Sequence, residues 1–288
     1  MGETRWIPET LFDELGFRMS YRVERVLHET RTEHQHLVLF EHKFFGKMLM
    51  LDGAAQVTTK DEFIYHEMMT HVPIFAHGKA REVLIVGGGD CGIAEEVLKH
   101  GSVERLTQVE IDASVVEFSK EHFPEFTGPV LGNQRFDLVI EDGMRYVAKT
   151  ERRFDVIIVD STDPQGPGKV LFSQRFYSAC KRCMNPGGIL VTQNGVPILQ
   201  SQELRQGMKK LRGLFADASC YIAAIPTYVG GHMAMGWASD NARLREISPA
   251  TIAARYRKAG SFRTKYWTPQ VHRAAFALPR FIAEIVGS

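Results

Sequence analysis

The chain has 288 residues, with 35 Lys and Arg against 34 Asp and Glu for a net charge of +1, and 44% hydrophobic with 24% charged residues. This is ordinary globular composition: it excludes a disordered, collagen-like or coiled-coil chain and suits one large α/β unit, or a large unit with a small annex. The near-zero balance argues against a broad nucleic-acid-binding surface, and no apolar run approaches the ~18–20 residues of a membrane span.

Residues 1–60 read as a small N-terminal antiparallel β domain. Its segments RMSYRVERVLHET, HQHLVLFEHKFFGKMLMLDG and AAQVTT are short, rich in Val, Leu and Phe, and broken by the turn-like Phe45-Gly46 and Asp52-Gly53. Residues 61–288 read as a second, Rossmann-like catalytic domain. From Asp61 to about His77, Phe63, Ile64, Met68 and His71 fall near one helical face, which predicts a helix leading out of the β annex. From Arg81 the pattern alternates. Strands are predicted in REVLIVGGGD, RLTQVEID, RFDLVIEDG, FDVIIVDSTD and GGILVTQNG, with helices in GIAEEVLKHG, from Ala113 to about His122, in MRYVAKT and from about Phe172 to Met184. Continuous apolar runs such as VLIV and VIIV suit strands covered on both faces, so the alternation predicts a doubly wound parallel sheet with right-handed crossovers.

The opening MGETRWIPETLFDELGF has no apolar signal core, and Trp6 stands where a myristoylation motif needs Ser or Thr, so a cytoplasmic chain is expected. Cys91, Cys180, Cys183 and Cys220 are too sparse for a disulfide framework. The C-x-x-C at 180–183 lies in a helical pattern with no second Cys or His pair nearby, and reads as two buried helix residues rather than a redox or zinc motif.

Ligands of doubly wound sheets bind outside the carboxyl ends of the strands, so the closing residues of each strand carry the functional signal. The first strand ends in Gly87-Gly88-Gly89-Asp90-Cys91-Gly92, where Gly87, Gly89 and Gly92 satisfy G-x-G-x-x-G and allow a ligand to approach the backbone. The second ends at Glu110, roughly 20 residues on, where such folds use a carboxylate to accept from ribose hydroxyls. The third ends Glu141-Asp142-Gly143, which suits either a contact to a base or a cap on the next helix. The fourth ends Asp160-Ser161-Thr162-Asp163 and runs into a Pro- and Gly-rich stretch that reads as a lid. Several acids thus converge on one pocket mouth in an otherwise neutral protein, an arrangement that is costly unless a cation occupies it. With no D-x-D-x-D-G loop and no histidine at these strand ends, an organic polycation fits better than a metal. Tyr65 and Tyr228 are candidates to wall a slot for an alkyl amine.

In DEFIYHEMMTHVP, GGGD, VEID, EDG, DSTDPQGPG, QNG, IPTY and AFALP the chain resembles the spermidine synthase family of aminopropyltransferases, from about Trp6 to Pro279. The resemblance implies a small N-terminal β domain followed by a methyltransferase-like Rossmann domain. It implies transfer of an aminopropyl group from decarboxylated S-adenosylmethionine, a co-substrate, to putrescine, giving spermidine and methylthioadenosine with no metal or other cofactor. It also implies a homodimer or homotetramer. Carried onto this chain, Gln35, Glu110, Asp142 and Gly143 are similar to donor-nucleoside contacts, with Pro167 against the adenine, and Asp90 to the residue that holds the donor ammonium. Tyr65, His66, Asp160, Asp163 and Tyr228 would line the acceptor slot. Asp160 resembles the family's general base, with Tyr65 orienting the nucleophilic nitrogen and Asp163 anchoring the amine.

The chemistry is intelligible from the side chains. A sulfonium is already an activated leaving group, but an alkylammonium with a pKa near ~10.4 is neutral in only roughly one molecule in two or three thousand at pH 7, so a proton must be removed. A carboxylate at its ordinary pKa near ~3.9 is a poor base, and neighbouring acids would have to raise that of Asp160.

Two positions depart from the family pattern. Cys91 takes the place of a glycine after GGGD, and Lys169 stands where Glu is usual beyond the lid. They leave open transfer to another acceptor (cadaverine, agmatine or spermidine) and a catalytically weak polyamine-binding protein. A methyltransferase on the same core is disfavoured by Asp90, which would repel the carboxylate of the methyl donor. A nicotinamide dehydrogenase is disfavoured because no hydride-transfer partner residue is evident.

Overall fold

The computed structural model describes residues 5–31, 36–161 and 166–287, with the side chains of Gly166 and Pro167 left aside. The N-terminal part is all β. Strands β1 (Trp6–Glu9) and β2 (Met19–Arg22) form an antiparallel pair, and β3 (Arg25–Arg31), β4 (His36–His42), β5 (Gly46–Leu51) and β6 (Ala54–Thr58) form an antiparallel meander. Alternation along β4 and β5 gives the meander two apolar faces. Val38, Phe40, Met48 and Met50 pack with Ile7 and Tyr21 of the β1–β2 pair, while Leu37, Leu39 and Leu49 pack with Phe123 and Phe126 from the second part of the chain. The β annex is therefore cemented to the Rossmann-like part through Phe123 and Phe126.

Helix α1 (Glu62–His77) leads out of the annex and is buried along nearly its whole length. It ends at Gly78, whose φ of 77° lets its N–H return to the Ile74 carbonyl, and Arg255 donates to the carbonyls of Phe75 and Ala76. The alternating region then gives β7 (Glu82–Gly87), α2 (Gly92–Leu98), β8 (Arg105–Glu110), α3 (Ala113–His122), α4 (Pro124–Thr127), β9 (Phe136–Ile140), α5 (Gly143–Lys149), β10 (Phe154–Asp160), α6 (Gln174–Arg182) and β11 (Met184–Gln193). It closes with α7 (Ser201–Arg212), β12 (Asp217–Ala223), β13 (Met233–Ser239), α8 (Pro249–Lys258), α9 (Pro269–Ala274) and α10 (Arg280–Val286).

The seven strands lie in the order β12-β13-β11-β10-β7-β8-β9. The predicted strands form its parallel part, but the sheet is mixed, because β13 runs antiparallel to both β11 and β12. The apolar runs have the expected cause. Val83, Ile85, Val156 and Ile158 face a core that includes α1 and α2, while Leu84, Val86, Ile157 and Val159 face one that includes α6 and α7. Strand order reverses between β7 and β10, so their carboxyl ends form the crevice at the switch point. There Asp160 pairs in register with Gly87.

Two boundaries differ from the sequence expectation. The helix expected to reach about Met184 stops at Arg182, and β11 starts at Met184 instead of at Gly187. A register shift between Phe154 and Val156 absorbs the extra residues against β10. Cys180 and Cys183 are free and buried, at the end of α6. Among the described residues no helix is long and apolar enough to cross a membrane.

Candidate active site

Glycines let β7 close tightly against β10. Gly87 has φ 88° and Gly88 φ 68°, and a Cβ on Gly87 would overlap the Asp160 carbonyl oxygen. Gly88 N–H instead donates to that oxygen at 3.1 Å. Gln108 of β8 donates to the Gly88 carbonyl at 2.6 Å, fixing the loop from its other side. Gly89 lies against Val115 and the Glu110 carboxylate.

Helix α1 supplies the opposite wall. The Tyr65 hydroxyl donates to Asp160 Oδ1 at 2.6 Å, and the Tyr65 ring meets Tyr228 edge-on at 5.9 Å between centroids. Tyr228 is held by its own hydroxyl, which donates to the Gln56 carbonyl of β6. Asp61, just before α1, accepts from Thr58 Oγ1 at 2.6 Å and from the Thr227 N–H at 2.8 Å. The annex, the start of α1 and the Tyr228 loop are thereby tied at one buried carboxylate.

His66 sits between two acids, with Nδ1 2.8 Å from Glu62 Oε2 and Nε2 3.4 Å from Asp90 Oδ2. Asp90 Oδ1 accepts from the Gly92 N–H at 2.9 Å. Burial alone would lower the pKa of His66, but the charges of and bonds to Asp90 and Glu62 outweigh it and hold it well above the usual histidine range. Asp90 is the mirror case: burial pushes its pKa up, and His66 with the Gly92 N–H brings it below the usual carboxylate value.

Asp160 behaves differently. Burial and the nearby Asp90 charge raise its pKa to about 7, against the pull of the Tyr65 hydroxyl and of His66. Glu110 is also raised, by burial first, with the Asp112 and Ile111 N–H groups holding it back. One cleft thus contains a carboxylate kept ionised, Asp90, beside one poised to exchange a proton near neutrality, Asp160. Such separated values are what proton-transfer chemistry requires.

Of the residues expected from sequence, Tyr65, His66, Asp90, Glu110, Asp160, Tyr228 and the glycines 87, 89 and 92 come together here. Asp142 and Gly143 stand at the same edge of the sheet, but Asp142 makes the alternative contact foreseen for it: it caps α5, accepting from the Arg145 N–H at 2.8 Å. Among the described residues, the strand-end acids whose charges act on Asp160 are Asp90 and Glu110. Gln35 and Asp163 lie outside the described residues, as does the Pro167 side chain. Cys91 takes the left-handed conformation its glycine counterpart would suit, with φ 66°. Its thiol is wholly buried in the core, and burial with the Asp90 and Glu110 charges pushes its pKa up to about 12. Lys169 is exposed on a 3-10 helix, Gly166–Phe172.

Sequence reasoning missed Glu62, Asp61 and Gln108. The i,i+4 spacing of Glu62 and His66 on one helix was the available signal. A groove of about 460 Å³ opens elsewhere, between β1 and the meander, lined by Arg5, Trp6, Arg31 and His36 among others. Arg5 and His36 are already bonded to Glu29, and the strand-end acids are absent from its lining. Among the described residues no group of three His, Cys, Asp or Glu side chains is placed to hold a metal ion.

Fold and cleft define a Rossmann-type transferase, with a helix from a β annex closing an acidic switch-point crevice. Residues 62–247 match the spermine/spermidine synthase domain, and residues 6–59 match the spermidine synthase tetramerisation domain. The chain is 54% identical over 279 residues to polyamine aminopropyltransferase 1 of Pseudomonas aeruginosa, covering 97% of this chain and 96% of that one. It is 49% identical over 288 residues to the polyamine aminopropyltransferase of Salmonella arizonae, covering all of both. A crystal structure of spermidine synthase in complex with the transition-state analogue AdoDATO superposes with a TM-score of 0.92 at 32% identity, over 99% of this chain and 97% of that one. The chain belongs to the spermidine synthase family, and is a transferase of the polyamine aminopropyltransferase type.

Proposed function

We propose that this protein transfers the aminopropyl group of decarboxylated S-adenosylmethionine to putrescine, with Asp160 as the general base. The observation that carries the reading is the 2.6 Å Tyr65–Asp160 hydrogen bond in the cleft that also holds Asp90; burial and the Asp90 charge there raise the pKa of Asp160 to about 7. A base in that range accepts a proton from the attacking amine at far lower cost than an ordinary carboxylate. In the proposed step the amine's ammonium gives up one proton, and the neutral nitrogen so formed attacks the carbon next to sulfur as a C–N bond forms and the C–S bond breaks. Its electron pair returns to sulfur, giving neutral methylthioadenosine, and the proton passes to Asp160. The sulfonium supplies the leaving group, so the step as written draws on no metal or other cofactor.

Asp90 would hold the donor ammonium and Glu110 the ribose hydroxyls, with Gln35, Asp142, Gly143 and Pro167 toward the rest of the nucleoside. Tyr65, His66, Asp163 and Tyr228 would line the acceptor slot, Tyr65 orienting the nitrogen. Gly87, Gly89 and Gly92, where a Cβ would meet Asp160, Val115 and His66 in turn, would let the loop backbone come close to the donor. We place the division between the β domain and the catalytic domain at residue 60, beside Asp61. A homo-oligomer, dimer or tetramer, built through the β domain is supported by the match of residues 6–59 and by exposed Trp6, Leu15 and Phe44 on that domain. A cytoplasmic location accords with the reading.

The test is competition among putrescine, cadaverine, agmatine and spermidine for the aminopropyl group. Putrescine is expected to give the highest kcat/KM, and preference for any other amine would overturn the acceptor assignment. Failure to bind methylthioadenosine would overturn the enzyme reading itself.

A further inference from the structure

Both oxygens of Asp90 are engaged within the protein, Oδ1 by the Gly92 N–H and Oδ2 by His66 Nε2. Both ring nitrogens of His66 face carboxylates, Glu62 at 2.8 Å and Asp90 at 3.4 Å, a placement that an imidazolium, with an N–H on each nitrogen, satisfies on both sides. We infer that His66 is a built-in substitute cation for Asp90, displaced when the ammonium of an aminopropyl-bearing ligand binds, and that Glu62 is the positioning residue that governs the exchange. This rests on the reading of Asp90 as the donor-ammonium site.

The proton balance is simple. A His66 imidazolium bound to Asp90, plus a ligand ammonium, becomes the ammonium bound to Asp90, a neutral His66 and one proton released to solvent. Two adjacent cations on one carboxylate repel, so the stronger acid of the two, the imidazolium and not the alkylammonium, yields its proton. Glu62 decides which nitrogen yields it. Glu62 lies 2.8 Å from Nδ1, placed to hold a proton on that nitrogen, so the proton that leaves is the one on Nε2, which then turns its lone pair toward the arriving ammonium. His66 thereby changes from a donor to Asp90 into an acceptor for the ligand.

The surroundings agree with this assignment. On α1, Glu62 and Tyr65 face the ring; Asp90 faces it from the loop before α2, and Asp160 acts on it from the end of β10. Phe126 of α4 closes the remaining edge without charge, and a Cβ on Gly92 would fall on the ring itself. Lys265 Nζ lies 3.7 Å from the other oxygen of Glu62. The raised pKa of His66 fits a cation awaiting displacement.

The experiment compares two nucleosides by isothermal titration in buffers of different ionisation enthalpy at pH about 7.5. One is methylthioadenosine; the other is the thioether of the donor that keeps its aminopropyl ammonium. Asp160 also exchanges protons near neutrality, so the pair is measured in the Asp160→Asn protein as well as the wild type. The ammonium nucleoside is expected to release close to one proton more than methylthioadenosine in both proteins, and to bind about tenfold tighter per unit rise in pH across that range. Glu62→Gln is expected to reduce the extra release and flatten that dependence. Equal proton counts for the two nucleosides in the Asp160→Asn protein overturn the exchange, whether or not Glu62→Gln folds. A Glu62→Gln protein that still releases the full proton overturns the role of Glu62. If methylthioadenosine itself does not bind, it is the aminopropyltransferase reading that fails.

Discussion

Tyr65 on α1 and Asp160 at the end of β10 meet through a 2.6 Å hydrogen bond across the switch-point crevice, 95 residues apart in sequence. The hydroxyl donates to the carboxylate and so favours its ionised form, working against the burial and the Asp90 charge that raise its pKa. Tyr65→Phe should therefore push the Asp160 pKa further up. We expect the acidic limb of the kcat/KM profile to move to higher pH and the plateau to fall by about 10- to 100-fold, the range for one hydrogen bond to a charged group. An unshifted limb measured from pH 5.5 to 9 would show that the bond does not tune this group.

The same raised pKa has a consequence for stability. Between an unfolded value near 3.8 and a folded value of about 7, the native state holds more protons than the unfolded chain, so the contribution of Asp160 is intact at low pH and is lost as pH rises through about 7. Asp160→Asn removes that loss. Because Asp160 is partly exposed and screened, we expect a gain of about 1–2 kcal/mol at pH 8 that vanishes near pH 4, read by denaturant unfolding at both values.

Gly92 is tight because His66 is there. Its substitution by Ala drives a methyl into the imidazole, and Glu62 and Asp90 fix the ring on both sides. In Gly92→Ala, affinity for an ammonium-bearing nucleoside should fall by about tenfold or more, since a misplaced charged contact costs about 1.5–3 kcal/mol. Methylthioadenosine, which has no ammonium, should bind within about threefold of wild type; equal losses for both ligands would mean that the loop, and not His66, had moved.

Asp61 carries the junction between the two parts of the chain. Asp61→Ala leaves Thr58 and the Thr227 N–H buried without their acceptor and should cost about 2–4 kcal/mol. Tyr228 is the next residue, so KM for the amine should rise more than Kd for methylthioadenosine. Calorimetry for the stability and initial rates for the KM separate the two effects.

Much of the fold and of the cleft was legible in the amino-acid sequence. The sheet was readable because strands covered on both faces must be apolar without alternation, and the strand ends because ligands of such sheets have only one place to bind. The antiparallel β12 and β13 and the start of β11 were not. Their order depends on which edge they find, and the Asn185-Pro186-Gly187-Gly188 run looks like a turn until the register shift opposite Phe154 is known. Strand β1, four residues with Pro8 inside, is too short to show a period. The acids were visible but their division of labour was not: only contacts show that Asp142 caps α5, that Glu62 backs His66, and that the Cys91 thiol turns into the core.

The central claim is base catalysis of aminopropyl transfer by Asp160, and its most direct test is methylthioadenosine formation from decarboxylated S-adenosylmethionine and putrescine, followed against pH in wild type and Asp160→Asn. The account predicts a wild-type kcat/KM that rises through about pH 7 and levels off. In Asp160→Asn it predicts turnover lower by about 10²–10⁴-fold with methylthioadenosine affinity little changed. An Asp160→Asn protein that keeps wild-type turnover and the same pH profile would contradict it.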